Sequence, residues 1–186
     1  MLVQRSRDGD QAAFAELVEE QQQAVFGTVL RLVRDRSLAA EVTNRVFYKA
    51  YANLASFDTS RPLRPWLIQI ATREALNELR SQRRDASHTV AGADADAELQ
   101  RVPDGPDPAA TVAQREQRSA IRAAVDRLPE GQRVTVVLRY FADLSYVEIA
   151  EATGQSVNNV GVTLLRARER LRGDLEGRGV TSDALA

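Results

Sequence analysis

The chain has 186 residues, of which 44% are hydrophobic and 27% are charged, and its net charge is −1. This length suggests one or two domains. The absence of cysteine and the presence of one histidine, His88, exclude disulfides and thiolate metal sites and leave little scope for a histidine-based site. The N-terminus lacks the apolar run of a signal peptide, and no stretch reaches the roughly 20 apolar residues of a membrane helix. We therefore expect a cytoplasmic protein with no membrane insertion of its own.

The small net charge conceals an uneven distribution of charge along the chain. Residues 61–84 include six arginines and two glutamates, and residues 158–172 include four arginines and one glutamate, so the local charges are +4 and +3. Residues 85–111 include six acidic residues and one arginine, a local charge of −5. Two basic regions separated by an acidic connector are compatible with nucleic-acid binding, which the net charge alone disfavours.

The N-terminal half shows the pattern of helices packed through one apolar face. Proline and glycine are scarce, and apolar residues recur with helical spacing, which indicates an all-α fold. The first helix is predicted to begin near Asp10, a good N-cap residue. The second helix is predicted over residues 37–54. Its expected buried residues are Ala39, Val42, Val46, Phe47 and Ala50.

A third helix follows a loop at residues 56–64 and carries two different faces. Pro65 suits its first turn, where a missing N–H costs nothing, and the helix is predicted to end at about Arg84. One face is apolar, with Ile68, Ala71, Ala75 and Leu79. A second face holds residues at i, i+4, i+7 and i+11, namely Arg73, Asn77, Arg80 and Arg84. This basic stripe is either an ordinary solvated surface or a nucleic-acid contact.

The second half of the chain predicts a linker and a smaller helical domain. Residues 85–110 are rich in alanine, aspartate, glycine and proline without periodicity, which is typical of a flexible acidic linker. The first domain then covers residues 1–84, the second covers 111–175, and 176–186 form a tail. In the second domain one helix is predicted to run to Leu128, before Pro129. The next spans about 131–142 with a face of Val134, Val137, Leu138 and Phe141.

A helix-turn-helix is predicted over residues 144–172. Ser145 and Glu148 have the spacing of a capping box, Gly154 suits a turn that needs positive φ, and Ser156 can cap the next helix. That helix is expected to bury Val157, Val160, Leu164, Ala167 and Leu171. A capped short helix, a glycine turn and a basic second helix are typical of a motif that reads the DNA major groove. The alternative is a plain helical hairpin with a charged tail.

These segments resemble the extracytoplasmic-function (ECF) sigma factors of the sigma-70 family. The C-terminal match lies in residues 128–141 (LPEGQRVTVVLRYF), 144–151 (LSYVEIAE) and 166–171 (RARERL), which resemble sigma region 4. The N-terminal match lies in residues 13–17 (AFAEL), 46–51 (VFYKAY) and 64–71 (RPWLIQIA), which resemble sigma region 2. The resemblance implies two all-helical domains, no catalytic activity, no cofactor and no metal. It implies as partners core RNA polymerase, promoter DNA and an anti-sigma factor.

The resemblance also implies roles for particular residues. Region 2 is expected to recognise and open the −10 promoter element through Phe57, Asp58, Arg61, Arg64, Trp66, Arg73, Asn77, Arg80 and Arg84. Region 4 is expected to bind the −35 element through Ser156, Asn158, Asn159, Val162, Thr163, Arg166 and Arg170, and to contact the polymerase flap. The polymerase clamp is expected to bind Glu41, Asn44, Arg45 and Tyr48. For Trp66, a structural role as a core anchor is an equal alternative to capture of a flipped base.

Several contact positions depart from the family pattern. Asn44 and Arg45 stand where the family usually has glutamine and glutamate, so Arg45 would repel a basic clamp surface. Phosphorylation of Ser37 or Thr43 would restore negative charge to this helix. Gly161, Val162 and Thr163 replace a run that usually contains basic residues. The alternatives are therefore an active sigma factor with unusual contacts and a sigma-like regulatory or interaction protein. A helix-turn-helix repressor would account for the second half only.

Overall fold

The computed structural model describes residues 2–88 and 111–177 of the chain, and these residues form helices, turns and loops without a strand. In chain order the helices are α1 (Leu2–Arg7), α2 (Gln11–Val33), α3 (Arg36–Asn53), α4 (Leu63–His88), α5 (Val112–Asp126), α6 (Glu130–Tyr140), α7 (Tyr146–Thr153) and α8 (Val157–Glu176). They divide into two compact units, an N-terminal unit of α1–α4 and a C-terminal unit of α5, α6, α7 up to Ala150, and α8. The predicted all-α fold is confirmed. Most of the predicted linker and tail, 89–110 and 178–186, lies outside the described residues.

Helix α2 begins where the sequence predicts, and a short helix that the sequence analysis missed precedes it. The Asp10 carboxylate accepts a hydrogen bond from the backbone N–H of Ala13, as an N-cap does. It also accepts two from Arg5 of α1, at 2.9 Å from Nε and 2.7 Å from Nη2. Gly9, at φ +94°, makes the turn between the two helices. These contacts fix α1 against the start of α2.

The N-terminal unit has its core between α2, α3 and α4. All five α3 residues that were predicted to be buried are buried. Val25, Val29 and Leu32 of α2 and Ile68 of α4 are also almost completely buried. Each such side chain contributes about 1.5–3 kcal/mol of burial free energy. Leu79, predicted to share the buried face of α4, is half-buried.

Helix α4 starts and ends close to the predicted bounds. Pro65 lies in its first turn, where no intrahelical N–H is lost. The helix continues to His88, four residues beyond the predicted end, because residues 85–88 include no glycine or proline to stop it. The basic stripe of α4 therefore lies within a continuous helix.

The C-terminal unit packs α5 and α6 against α8. Thr111 and Gln114 form a reciprocal capping box at the start of α5. At its end, the Arg127 guanidinium donates to the Asp174 carboxylate of α8. Val134, Val137 and Leu138 of α6 are buried as predicted. Phe141, expected on the same face, is exposed because α6 ends at Tyr140 and Phe141 is its C-cap.

The helix-turn-helix has the predicted local geometry. The Glu148 carboxylate accepts hydrogen bonds from the backbone N–H and the hydroxyl of Ser145, at 2.8 and 2.6 Å. Gly154 has φ +72°, and the Ser156 hydroxyl accepts from the backbone N–H of Asn159 to cap α8. Ile149 of α7 is completely buried, and four of the five α8 residues that were predicted to be buried are buried. The exception is Val157, which is 45% exposed because it occupies the first turn of the helix.

Candidate polymerase and nucleic-acid interfaces

The predicted clamp-binding residues share one exposed side of α3. Glu41, Asn44, Arg45 and Tyr48 are at i, i+3, i+4 and i+7, and Tyr48 is 76% exposed. The opposite side of α3 is buried against α2 and α4. A long tyrosine side chain in solvent, surrounded by polar residues, is a surface suited to protein contact.

Two ion pairs join this side of α3 to α4. Arg45 Nη2 lies 3.1 Å from Glu78 Oε2, and Lys49 Nζ lies 2.6 Å from Glu74 Oε1. The two basic residues are four positions apart on α3, and the two acidic residues are four positions apart on α4 in the reverse order. Each helix therefore contributes two side chains about one turn apart, and the two helices run antiparallel at this point. From the sequence alone, Arg45 is an uncompensated positive charge. In the structure Glu78 offsets part of that charge.

The two hydroxyl groups considered for phosphorylation lie in different environments. Ser37 is exposed in the first turn of α3. Thr43 is buried, and its Oγ1 has no hydrogen-bond partner. A kinase therefore has access to Thr43 only if α3 moves away from the core.

The loop before α4 is held in a turn by Asp58. Its Oδ1 accepts hydrogen bonds from the backbone N–H of Ser60 at 3.0 Å and from the Ser60 hydroxyl at 2.7 Å. The Ser60 hydroxyl is the main reason that the pKa of the Asp58 carboxyl lies below its usual range. Arg61 and Arg64, predicted to contact DNA, are exposed beside this turn.

Phe57 and Trp66 form an aromatic pair at the base of the loop. Their ring centroids are 4.8 Å apart with the planes tilted by 43°. Phe57 is only 5% exposed, whereas Trp66 is half-buried and lines a small apolar cavity with residues of α2, α3 and α4. The structure thus gives Trp66 the anchoring contacts of the alternative interpretation and leaves the residue partly exposed. The ring of Phe57 is a core group in this structure.

Helix α1 contacts the chain just before this loop. The Arg7 guanidinium donates to the backbone carbonyl of Ala55 at 2.8 Å, in the 3-10 turn Leu54–Ser56 that leads to Phe57. No sequence motif predicted this role of Arg7. The available signal was the pair Gly9–Asp10, a turn followed by an N-cap, which implies an element before it.

The basic stripe of α4 is exposed along its whole length. Arg73, Asn77, Arg80 and Arg84 all face away from the buried side of the helix. Arg80 Nη1 donates to Asn77 Oδ1 at 3.3 Å, so these two side chains are oriented together. The stripe thus presents three arginines and one asparagine on an exposed face, a surface suited to phosphate contact.

Helix α8 places the predicted −35 contacts at different positions around its axis. Asn158, Val162, Arg166 and Arg170 are exposed. Asn159 is exposed but its Nδ2 donates to Gln155 Oε1 at 2.8 Å, Thr163 is half-buried, and Ser156 is occupied as the N-cap. Leu165, which the sequence analysis did not select, is 53% exposed.

An aromatic side chain at the start of α7 lies close to α8. Tyr146 Cε2 lies 3.8 Å from where a Cβ on Gly161 would be, so the ring covers the glycine. The Arg139 guanidinium lies 5.8 Å from the Tyr146 ring centroid and also donates to the carbonyl of Leu144. Gly161, which departs from the family pattern, is the point on α8 that Tyr146 of α7 approaches.

Comparison with known proteins matches both units to one family. The family model for sigma-70 region 2 matches residues 17–85, and the model for sigma-70 region 4 matches residues 118–171. The ECF RNA polymerase sigma factor SigW of Bacillus subtilis is 31% identical over 176 residues, covering 93% of this chain and 94% of that protein. RNA polymerase sigma-H factor of Pseudomonas aeruginosa is 31% identical over 173 residues, covering 91% and 90%. The chain is an ECF sigma factor of the sigma-70 family.

Solved structures agree with this fold. The sigma factor RpoE, in complex with the anti-sigma factor NepR from Bartonella quintana, is similar with a TM-score of 0.67, 20% identity and coverage of 88% and 96% of the two chains. CnrH, in complex with the cytosolic domain of CnrY, is similar with a TM-score of 0.63, 23% identity and coverage of 95% and 96%.

The candidate interfaces fall within the two matched regions. Helix α3, the loop and α4 up to Asp85 lie in region 2, and α6, α7 and most of α8 lie in region 4. Helix α1 precedes the region 2 match. Among the described residues, no helix is long and apolar enough to cross a membrane, and no cluster of acidic and histidine residues can hold a metal ion. The two matches on one chain favour a sigma factor over a sigma-like regulator or a helix-turn-helix repressor.

Proposed function

We propose that this sigma factor, which directs RNA polymerase to promoters for transcription initiation, divides promoter recognition between its two units. The N-terminal unit binds the polymerase clamp and the −10 element, and the C-terminal unit binds the −35 element. The observation that carries the proposal is the order of region 2 and region 4 on one chain that is 31% identical to SigW over 93% of its length. The proposed domains are residues 1–84 and 111–175, joined by 85–110.

The N-terminal unit binds the −10 element through α4 and the loop that precedes it. Arg61 and Arg64 supply positive charge beside the Asp58 turn, and the partly exposed Trp66 is the aromatic residue on which an unstacked base would stack. The α4 stripe follows the phosphates of the adjoining strand and duplex. Phe57 acts here through Trp66, since its own ring is buried.

The C-terminal unit binds the −35 element by placing α8 in the major groove. The exposed residues in the first half of the helix lie at the base edges, and Arg166 and Arg170 follow at the phosphates. Ser156 holds the helix start by capping it, so its contribution is to position the residues that follow. The polymerase flap is the proposed protein contact of this unit.

Binding to core RNA polymerase tests the clamp assignment. Wild type is compared with Arg45→Glu and with the charge-swapped variant Arg45→Glu/Glu78→Arg, which keeps the α3–α4 ion pair with its polarity reversed. We expect wild type to bind core polymerase and the swapped variant to bind more tightly, because α3 then presents another carboxylate to a basic clamp. Arg45→Glu alone places a carboxylate beside Glu78 and is expected to be less stable than the swapped variant.

Fluorescence anisotropy with labelled sigma factor and unlabelled core polymerase measures the affinities of these proteins. A further variant, Tyr48→Ala, tests the rest of the α3 surface. Its affinity for core polymerase should fall because the most exposed large side chain of that surface is removed. If Arg45→Glu, the charge-swapped variant and Tyr48→Ala all remained folded and bound core polymerase as tightly as wild type, the assignment of α3 to the clamp would be wrong.

The remaining parts of the proposal concern the partner and the setting of the protein. An anti-sigma factor is the proposed regulatory partner, as the RpoE relative in fold is described in complex with one. The protein is proposed to work in the cytoplasm, where core polymerase and promoter DNA are found. It is proposed to act by binding, without catalysing a reaction. Purification of a tagged chain from its own cells, with identification of its bound proteins, tests the partner assignment.

A further inference from the structure

The exposed side of α8 has a central row of side chains with no positive charge. Its residues are Asn158, Val162, Leu165 and Glu169, at i, i+4, i+7 and i+11. The buried row of the same helix has the same spacing but starts two residues later, at Val160. Two residues turn an α-helix by about 200°, so the central row faces away from the core. Val162 is 37% exposed and Leu165 is 53% exposed.

Four arginines flank this row in two pairs. Arg166 and Arg170 are four residues apart on one edge, and Arg168 and Arg172 are four residues apart on the other. The pairs are also offset by two residues, or about 200°, and therefore lie on opposite edges of the exposed side. A helix in the major groove has a sugar–phosphate backbone on each side of it. The arrangement matches a helix whose edges contact phosphates and whose central row faces the bases.

The chemistry of the central row restricts the bases that it can read. Guanine is most often read by a bidentate arginine or lysine, and the row includes neither. Apolar side chains contact the C5-methyl group of thymine, and asparagine pairs with the N6 and N7 atoms of adenine. Glu169 would repel phosphates, which limits base contact to the part of the row before it.

We infer that the −35 element of this sigma factor is read through A·T base pairs, with thymine methyl groups against Val162 and Leu165 and an adenine against Asn158. The inference rests on the proposed role of the C-terminal unit and adds its base specificity. Tyr146 packs near this row, with its ring at ordinary contact distance from the position of a Cβ on Gly161. The ligand is duplex DNA with thymines at adjacent positions, contacted in its major groove.

The first experiment selects DNA with the full chain bound to core RNA polymerase. The probe is a pool of duplexes randomised over the upstream element, and bound DNA is sequenced. We expect A·T pairs at consecutive positions and no position where guanine dominates. In Asn158→Ala, the preference for adenine at one of these positions should relax while the others persist.

The second experiment replaces individual thymines of the selected element by deoxyuridine, which removes only the C5-methyl group. At the position against Val162, we expect the affinity of wild type to fall about fourfold, the effect of one buried methyl-sized group. In Val162→Ala this loss should shrink to less than about twofold, because little apolar contact remains to lose. Val157→Ala is the matched control: it makes the same change at an exposed valine of α8 outside the row, and it should keep the fourfold effect.

The outcomes separate this inference from the proposed function. Selection of guanine-rich elements, or equal binding of thymine and deoxyuridine, would overturn the inference and leave the −35 role intact. If Val157→Ala lost the deoxyuridine effect and Val162→Ala kept it, the side of α8 that includes Val157 would face the bases, and the inference would be wrong. If no upstream sequence were enriched, and Arg166→Ala left the salt dependence of promoter binding unchanged, the −35 role itself would fail together with the inference.

Discussion

At the scale of single residues, two glycines of the helix-turn-helix have opposite effects on stability. Gly154 has φ +72°, which an L-residue adopts at a cost of about 1–2 kcal/mol, and no neighbouring atom lies near the position of an added Cβ. Gly161 lies inside α8, where alanine is favoured by about 0.5–1 kcal/mol, and an added Cβ would meet Tyr146 at an ordinary 3.8 Å. Gly154→Ala should therefore destabilise the C-terminal unit and Gly161→Ala should stabilise it.

Denaturant unfolding followed by far-ultraviolet circular dichroism measures these two variants. Trp66 is the one tryptophan of the chain and lies in the N-terminal unit, so its fluorescence reports that unit separately. A change of the same sign in both variants would contradict the assigned backbone conformations.

Asp10 makes the stability of the N-terminal unit depend on pH in the acidic range. The hydrogen bond from the Ala13 N–H, together with Arg5, lowers the pKa of this carboxyl in the folded chain. A lowered folded pKa means that the stabilisation is complete above the unfolded value of about 3.9 and is lost as the pH falls through the folded pKa. Asp10→Asn keeps an N-capping side chain without the titration. Its melting temperature should fall less steeply below about pH 4 than that of wild type, and parallel curves would disprove the role.

At the scale of elements, the two ion pairs between α3 and α4 differ in how much they contribute. Arg45 and Glu78 are both partly exposed, so Arg45→Ala should cost about 0–1 kcal/mol. Glu74 is nearly buried, and Lys49→Ala removes the cation beside it, which should cost about 1–3 kcal/mol. Unfolding followed by Trp66 fluorescence measures both.

The control for this comparison is the double variant Lys49→Ala/Glu74→Ala. It removes the buried carboxylate together with its partner and should recover part of the stability lost in Lys49→Ala. Equal costs for Lys49→Ala and Arg45→Ala would contradict the difference in burial between the two acceptors.

At the scale of the whole molecule, the proposed division of promoter recognition places two DNA-binding units on one chain. In that proposal, once one unit has bound its promoter element, the other is held at a high effective concentration near its own element. Separate proteins made from residues 2–88 and 111–177 should each bind a promoter duplex at least about 100-fold more weakly than the full chain. Adding the two pieces together should not restore the affinity. Fluorescence anisotropy with a duplex that carries both elements measures this, and equal affinity of one piece and the full chain would refute it.

The sequence alone was sufficient for those features that depend on neighbours within one helical turn. The capping box of Ser145 and Glu148, the positive φ of Gly154 and the cap of Ser156 each involve groups three or four residues apart, so their sequence patterns identify them. The periodic apolar residues likewise predicted the helices and most of their buried faces, and the motifs of both halves indicated the family that comparison then showed.

Only the tertiary structure decided which side chains meet across the chain. Arg45 pairs with Glu78, 33 positions away, and Arg7 reaches the carbonyl of Ala55, 48 positions away. The burial of Phe57 against Trp66 and the exposure of Leu165 likewise depend on how whole helices pack, since an apolar residue alone does not reveal which face its helix turns inward. A local hydrogen bond depends on residues a few positions apart, which the sequence shows directly. The register between two helices depends on the summed packing of many side chains that are distant in the sequence.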